Sequence, residues 1–305
     1  KSGAAAVTVV SAGTDADNNN AISLTGTSLT SVTVTGTEKI DVTANSSKVL
    51  AAADFSGNTA DEISFSASAS TAALTFTPGV GKVTALTTGT GADTITLTAL
   101  ADVVTSSGSG NDTITAGAGN DTITDSGAGN DTITLGDGND LVSTSGAGAD
   151  IITGGAGNDT ITAGADADSV DGGAGNDTLT GEAGADTLIG GDGNDIISAG
   201  ADNDVVTGGA GNDTITLTTG SDNVDGGAGN DTITITGLSA GDTIAGGDGT
   251  DTMTITNASS ATLSPTFTGI ETLTVNTSTG FTLDLTDSTD KTSLKTYTLN
   301  STDDS

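Results

Sequence analysis

Cysteine, histidine, tryptophan and arginine are all missing from the 305 residues of this chain. Without cysteine there is no disulfide framework, no thiolate metal site and no thiol nucleophile. Without histidine there is neither an HExxH zinc motif nor a Ser–His catalytic pair, and the chain reads as non-enzymatic. Gly237-Leu238-Ser239-Ala240-Gly241 has the spacing of a nucleophile elbow, but it sits inside a repeat with no base to serve it, and chance accounts for it. No apolar run approaches the roughly 18 residues of a membrane-spanning helix. Neither an initiator Met nor a signal-like stretch opens the chain at Lys1, which reads as the start of a processed chain or a fragment.

Positive charge is scarce as well. Lys1, Lys39, Lys48, Lys82, Lys291 and Lys295 stand against forty Asp and Glu, giving a net charge of −34. Such a chain repels nucleic acid and anionic membranes, so its natural partners are cations. Proline and aromatic residues are few, and their positions divide the chain. Pro78 and Pro265 bracket a stretch free of aromatics, with Phe55, Phe65 and Phe76 before it and Phe267, Phe281 and Tyr297 after it. We therefore expect an N-terminal β-rich segment over 1–78, a repetitive block over 79–265 and a C-terminal β-rich cap over 266–305. The flanks alternate apolar and polar residues, as in Ile22-Ser23-Leu24 and Val32-Thr33-Val34, which is strand chemistry. Gly269-Ile270-Glu271-Thr272-Leu273 echoes Gly36-Thr37-Glu38-Lys39-Ile40, and Glu38 and Glu271 read as solvated strand-edge carboxylates.

Glycine and aspartate are what the chain has in abundance, and they stand in register. From Asp93 to Asp251 an aspartate returns about every ninth residue, and self-similarity of this kind marks a solenoid. The best-formed unit is Gly154-Gly155-Ala156-Gly157-Asn158-Asp159-Thr160-Ile161-Thr162, which recurs nearly unchanged from Gly172, Gly208 and Gly226. Glycine supplies the positive φ of a tight loop, and Asn and Asp tolerate it. The last three residues form a minimal strand whose pleat sends Ile161 to one side and Thr160 and Thr162 to the other, predicting aliphatics inside and threonines outside. A disordered acidic tail has no reason to fix an aliphatic residue two places after each acid. Two units make one coil, so the expected fold is all-β, a parallel β-roll flanked by smaller β-rich segments.

Taking alternate units separates two faces. The first carries Asp102, Asp121, Asp140, Asp159, Asp177, Asp195, Asp213, Asp231 and Asp251; the second carries Asp93, Asp112, Asp131, Asp150, Asp168, Asp186, Asp204, Asp222 and Asp242. Full glycine loops such as Gly190-Gly191-Asp192-Gly193-Asn194 precede most of the first set, whereas the second decays to Leu217-Thr218-Thr219-Gly220-Ser221. The first face is therefore the stronger candidate for metal. Between Asp102 and Asp150 the tenth residue of each longer unit falls on the second face and predicts a column of loop bulges there. Two inward aliphatics per coil return too little burial energy to offset the ordering of the backbone, and stacked carboxylates repel. A hard dication reverses that sign. Calcium takes six to eight oxygens in flexible geometry, and these loops offer carboxylates and carbonyls without nitrogen or sulfur. The chain is expected to be unfolded without calcium and folded with it.

Over about residues 88–254 the units resemble those of the RTX family of calcium-binding nonapeptide repeats. The resemblance implies ions held between same-face loops of neighbouring coils by aspartate carboxylates and glycine carbonyls. Carried onto this chain, it makes Asp159, Asp177, Asp195, Asp213 and Asp231 the foremost ligands. Asp93, Asp112, Asp121, Asp131, Asp140, Asp150, Asp168, Asp186, Asp204, Asp222 and Asp251 follow. Carbonyls are expected from Gly155, Gly157, Gly173, Gly175, Gly191, Gly193, Gly209, Gly211, Gly227 and Gly229. Asp102 and Asp242 are left out, because Ala99-Leu100-Ala101 and Leu238-Ser239-Ala240-Gly241 depart from the glycine loop.

The Thr-rich, aromatic-poor flanks with their Gly-Ile-Glu-Thr-Leu strand are similar to those of RTX-type bacterial surface-layer proteins. That resemblance implies a secreted calcium-binding structural protein, found outside the cell or on its surface, that self-assembles as a surface layer or extracellular filament. Cell-surface polysaccharide is a further expected partner, nucleic acid is not, and no membrane span is expected. The alternative is a calcium-dependent stalk or secretion module of a larger RTX adhesin or exoprotein. The acidic end Ser301-Thr302-Asp303-Asp304-Ser305 is compatible with a secretion signal of that family but is too short to decide.

Overall fold

A computed structural model describes residues 62–258 apart from 69, 107, 126 and 145. Beyond that stretch it describes the strands Ala5–Ser11, Asn20–Thr25, Leu29–Gly36, Ile40–Asn45, Ala52–Asn58, Thr262–Leu263, Thr282–Leu283 and Thr296–Ser301, and residues 265–277. Every regular element among the described residues is a strand. Two compact units divide the chain, residues 1–155 and 156–305, and each is wound the same way. From Ala5–Ser11 to Thr272–Thr277 successive strands alternate between two sheets and each pairs in parallel with the next of its own sheet, except the short Thr262–Leu263, which pairs with Thr282–Leu283 in a third. This is the parallel β-roll expected from the nine-residue period.

The pairing keeps like residues level. In the second unit Ile161 lies opposite Leu179, and Val170, Leu188, Val206, Val224 and Ile244 form one continuous column in the other sheet. Thr160 is exposed while Ile161 is buried, so the pleat distributes the two residue types as the pattern predicts. A one-residue slip in any strand would turn its aliphatics outward, which pins the register of the whole stack. In the first unit the level spacing is 19 residues between Asp93 and Asp150, as in Ile114↔Ile133 and Ile123↔Val142. The column of loop bulges expected in the three longer units is not settled, because residues 107, 126 and 145 within them lie outside the described residues.

Parallel winding also runs through the aromatic-bearing flanks. Val32 pairs with Ala53, Ala53 with Phe76, and Phe76 with Ile95. Phe55, Phe65 and Phe76 are all buried and pack with ring centroids 5.4–5.8 Å apart. Aromatic burial of this kind supplies far more apolar area per residue than the Ile and Val columns. In the second unit Met253 and Leu273 continue the inward column beyond Ile233. The repeats therefore have a thin aliphatic core, and the N-terminal flank an aromatic one.

Candidate metal centre

At each corner of the roll the aspartate side chain turns in along the stack. Its Oδ1 accepts the backbone N–H of the aspartate one coil earlier, while its own carbonyl accepts the N–H that opens the strand one coil later. On the first face of the second unit the N–H groups of Asp159, Asp177, Asp195, Asp213 and Asp231 donate to Oδ1 of Asp177, Asp195, Asp213, Asp231 and Asp251 at 2.7–2.8 Å. On its second face Asp168, Asp186 and Asp204 donate to Asp186, Asp204 and Asp222 at 2.9–3.0 Å. The first unit repeats the arrangement, from Asp93 through Asp112 and Asp131 to Asp150 on one face and from Asp121 to Asp140 on the other, at 2.7–2.8 Å. All eighteen aspartates of the register, the sixteen named as ligands among them, are buried.

One oxygen of each carboxylate is thus spent on the fold, and the other decides what the site can do. Oδ2 of Asp121, Asp177, Asp186, Asp195, Asp204, Asp213, Asp231 and Asp251 is buried and accepts no hydrogen bond. A carboxylate oxygen so placed is costly unless a cation or proton meets it. On the first face of the second unit Oδ2 looks into a space kept open by glycine five residues earlier. A Cβ added at Gly172 would stand 2.6 Å from Asp177 Oδ2 and 2.7 Å from the carbonyl oxygen of Gly190 in the next coil. The same pair of oxygens, one carboxylate and one carbonyl, crowds the missing Cβ at Gly190, Gly208, Gly226 and Gly246. Five stacked cradles result, each bordered most closely by one carboxylate and one carbonyl oxygen.

The second face is built differently. Among its inward positions only Gly181 leaves such a space, facing Asp186 Oδ2 and the Ala199 carbonyl; Ala163, Ala199, Leu217 and Ile235 hold the others and are buried. Its loops also contain three non-glycine residues at positive φ, Asp166 at 79°, Glu182 at 78° and Asp202 at 84°, a conformation costing on the order of 1 kcal/mol each. Asp102 and Asp242, excluded on their loop sequences, stand apart in geometry too. Oδ2 of Asp102 accepts both N–H and Oγ1–H of Thr98 at 2.8 Å, and Oδ2 of Asp242 accepts the Ser239 N–H at 2.7 Å.

The glycines proposed as carbonyl donors, Gly155 and Gly157 through Gly227 and Gly229, all turn at positive φ between 101° and 138°. The Gly227 carbonyl is taken up by the Asp248 N–H at 2.7 Å. The carbonyls that share a cradle with Oδ2 belong instead to Gly190, Gly208, Gly226, Gly246 and Gly269, which the repeat pattern did not single out. Two further roles were missed. Oδ1 of Asn158, Asn176, Asn194 and Asn212 accepts the N–H of the asparagine one coil later at 2.6–2.7 Å, so each level is tied in both directions. Glu271 is not solvated: it is buried and its Oε2 ends the first-face ladder by accepting the Asp251 N–H at 2.7 Å. Glu38 lies outside the described residues, as do residues 302–305 of the acidic end.

Burial dominates the electrostatics. Desolvation pushes the carboxyls of Asp121, Asp204 and Asp213 up to about 6, with neighbouring aspartates adding to the rise and the backbone hydrogen bond opposing it. Asp177, Asp186, Asp195, Asp231 and Asp251 move in the same direction for the same first cause. The stacked acids on the first face of the second unit, each with an unused oxygen beside a carbonyl, fit a hard divalent cation of calcium's coordination number and flexibility. Asp177, Asp195, Asp213, Asp231 and Asp251, with the carbonyls beside them, are the residues that would hold it. The bound ion supplies the positive charge that the chain lacks.

Fold and site together define a metal-binding parallel β-solenoid. Residues 125–146, 144–179, 171–206, 180–215, 198–233 and 234–254 match the RTX calcium-binding nonapeptide repeat, a family model of four copies. Over that stretch the repeats are RTX calcium-binding nonapeptide repeats. No curated protein matches the chain. The family match begins at Asp125, so the coils from 88 to 124 are joined to the repeat by their register and geometry.

Proposed function

We infer that this is a secreted structural protein whose roll folds when calcium fills the loop cradles, and which then self-assembles outside the cell as a surface layer or filament. The observation that carries the calcium dependence is the column of unused, buried Oδ2 atoms facing glycine-made spaces from Gly172 to Gly246. Before binding, that column is a stack of like charges in a chain of net charge −34; after binding, each ion joins neighbouring loops. Binding energy becomes folding energy. Secretion fits the requirement, because a chain of this kind stays unfolded until it meets calcium-rich surroundings. Self-assembly is supported by the Thr-rich, aromatic-poor flanks, which resemble those of surface-layer proteins.

The test is a calcium titration of the purified chain followed by circular dichroism and electron microscopy. A gain of β signal followed by sheets or filaments is the expected result. Monodisperse monomers at millimolar calcium would remove the assembly role, and a spectrum indifferent to chelator would remove the folding role. A second reading is a calcium-dependent stalk or secretion module of a larger exoprotein. The extent of the family match favours it, since the match covers the repeats alone. The intact mass of the native secreted species separates the two.

A further inference from the structure

The outward side of one sheet in the second unit is free of charge and regular in two directions. There the strands Ile196–Ser198, Thr214–Thr219, Thr232–Gly237, Thr252–Ala258, Thr272–Thr277 and Thr296–Ser301 follow one another in order, and none carries a charged residue. Thr214 lies level with Thr232, Thr252, Thr272 and Thr296 in turn, and Thr216 begins a second column that runs through Thr234 and Thr254 to Thr298. All of these threonines are exposed or half-buried. Two earlier strands of the sheet, Thr160–Ala165 and Thr178–Ala183, bring the same Thr-x-Thr pair outward, and their one acid, Glu182, lies beyond both columns, level with Gly164. Between Thr178 and Thr214 the first column holds Ile196, 55% exposed. Other surfaces of the unit carry acid: the second sheet exposes Asp171, Asp192 and Asp225, and the corner loops expose Asp166, Asp202 and Asp248.

That contrast selects an occupant. A chain of net charge −34 repels a copy of itself wherever acids face acids, so two copies approach most readily where neither presents a charge. No ion has to be desolvated on such a face. β-Branched threonine is stiff at χ1, so little side-chain freedom is lost when the face is covered, and the threonine methyls with Ile196 supply apolar area. Eight strands ~4.8 Å apart and about five or six residues long present roughly 700 Å², close to the ~800 Å² that each partner gives to a stable interface. We propose that the calcium-loaded chain pairs with a second copy of itself through this threonine face. One patch meeting itself makes a two-fold contact. The contact rests on the reading of the chain as self-assembling and gives that assembly a surface. Because the columns exist only while the strands hold their register, pairing depends on calcium through the fold alone.

Sedimentation of the full chain in calcium over a dilution series tests it, with Thr234→Lys and Thr254→Lys on the face and Thr187→Lys on the other sheet. Thr187 is outward and half-buried like Thr234, so all three replacements make the same change in side chain and in net charge. The parent is expected to pair as its concentration rises, and Thr187→Lys to pair at least as tightly, since its net charge is smaller. Both face variants are expected to need a concentration about tenfold higher or more, while keeping the parent's β circular dichroism in calcium. Thr234→Val, uncharged and of the same shape, suits the fold and is expected to pair like the parent. Face variants that pair at the parent's concentration overturn the proposal and leave the threonines as a solvated strand surface. An equal loss in Thr187→Lys also overturns it, because the effect is then not confined to one face. A parent that stays monomeric at every concentration overturns the self-assembly reading itself, a result distinct from either.

Discussion

At the scale of single residues, the most demanding position is the first glycine of each first-face loop. Gly172 is buried, and its φ is not in the left-handed region, so alanine is conformationally allowed there. What forbids a side chain is the pair of oxygens, at 2.6 Å and 2.7 Å from the Cβ it would carry. Ala163 and Ala199 occupy the corresponding inward column of the other sheet, which shows that the winding itself accepts a methyl group there. Gly172→Ala is therefore expected to block one cradle without changing the fold. The calcium midpoint of folding should rise about tenfold, equivalent to about 1.4 kcal/mol, with one bound ion lost. A midpoint equal to the parent's, measured by circular dichroism in a calcium titration, would show that Oδ2 and the Gly190 carbonyl do not share an ion.

At the scale of the strand, packing and exposure separate residues that look alike in the repeat. Ile215 is 0% exposed and lies between Ile197 and Ile233 in its column, whereas Ile196 is 55% exposed between Thr178 and Thr214. Ile215→Ala should destabilise the calcium-loaded roll by about 2–5 kcal/mol, and Ile196→Thr by no more than about 0.5 kcal/mol. Denaturant unfolding at fixed calcium reads both. Comparable losses would mean that the stack draws little from its aliphatic core.

The same strands show how far the sequence is legible. The two sheets, their faces and the stacking of the aspartates follow from a period of nine and a pleat of two, because those rules relate neighbours along the chain. Parity also points to the cradle, since Leu179 and Gly181 share the inward side after Asp177, and a glycine where an aliphatic would fit asks for a reason. The bond from Asp159 N–H to Asp177 Oδ1 is harder to read, because it joins residues 18 apart and depends on the direction in which a corner side chain turns. Glu271 escapes the register because it acts as an aspartate from a longer side chain.

At the scale of the whole molecule, charge and protonation set when the fold exists. Buried carboxyls such as Asp121, Asp204 and Asp213 have folded pKa values of about 6, against 3.8 for the ordinary group. For an acid shifted upward, the unfolded chain ionises first as pH rises, so metal-free folding is favoured at low pH and weakened between about 4 and 6. Above that window the charged stack opposes folding fully. In chelator the chain should lack β signal at neutral pH and gain it on acidification through that range. With calcium present the dependence reverses, because the ion binds the ionised form and protons compete for it. The calcium midpoint should then climb as pH falls below about 6, the upper end of the shifted carboxyls. Circular dichroism over a grid of pH and calcium reads both slopes in one experiment. A chelated chain whose spectrum stays the same from pH 7 to pH 4 would show that desolvated carboxylates are not what holds the metal-free chain unfolded.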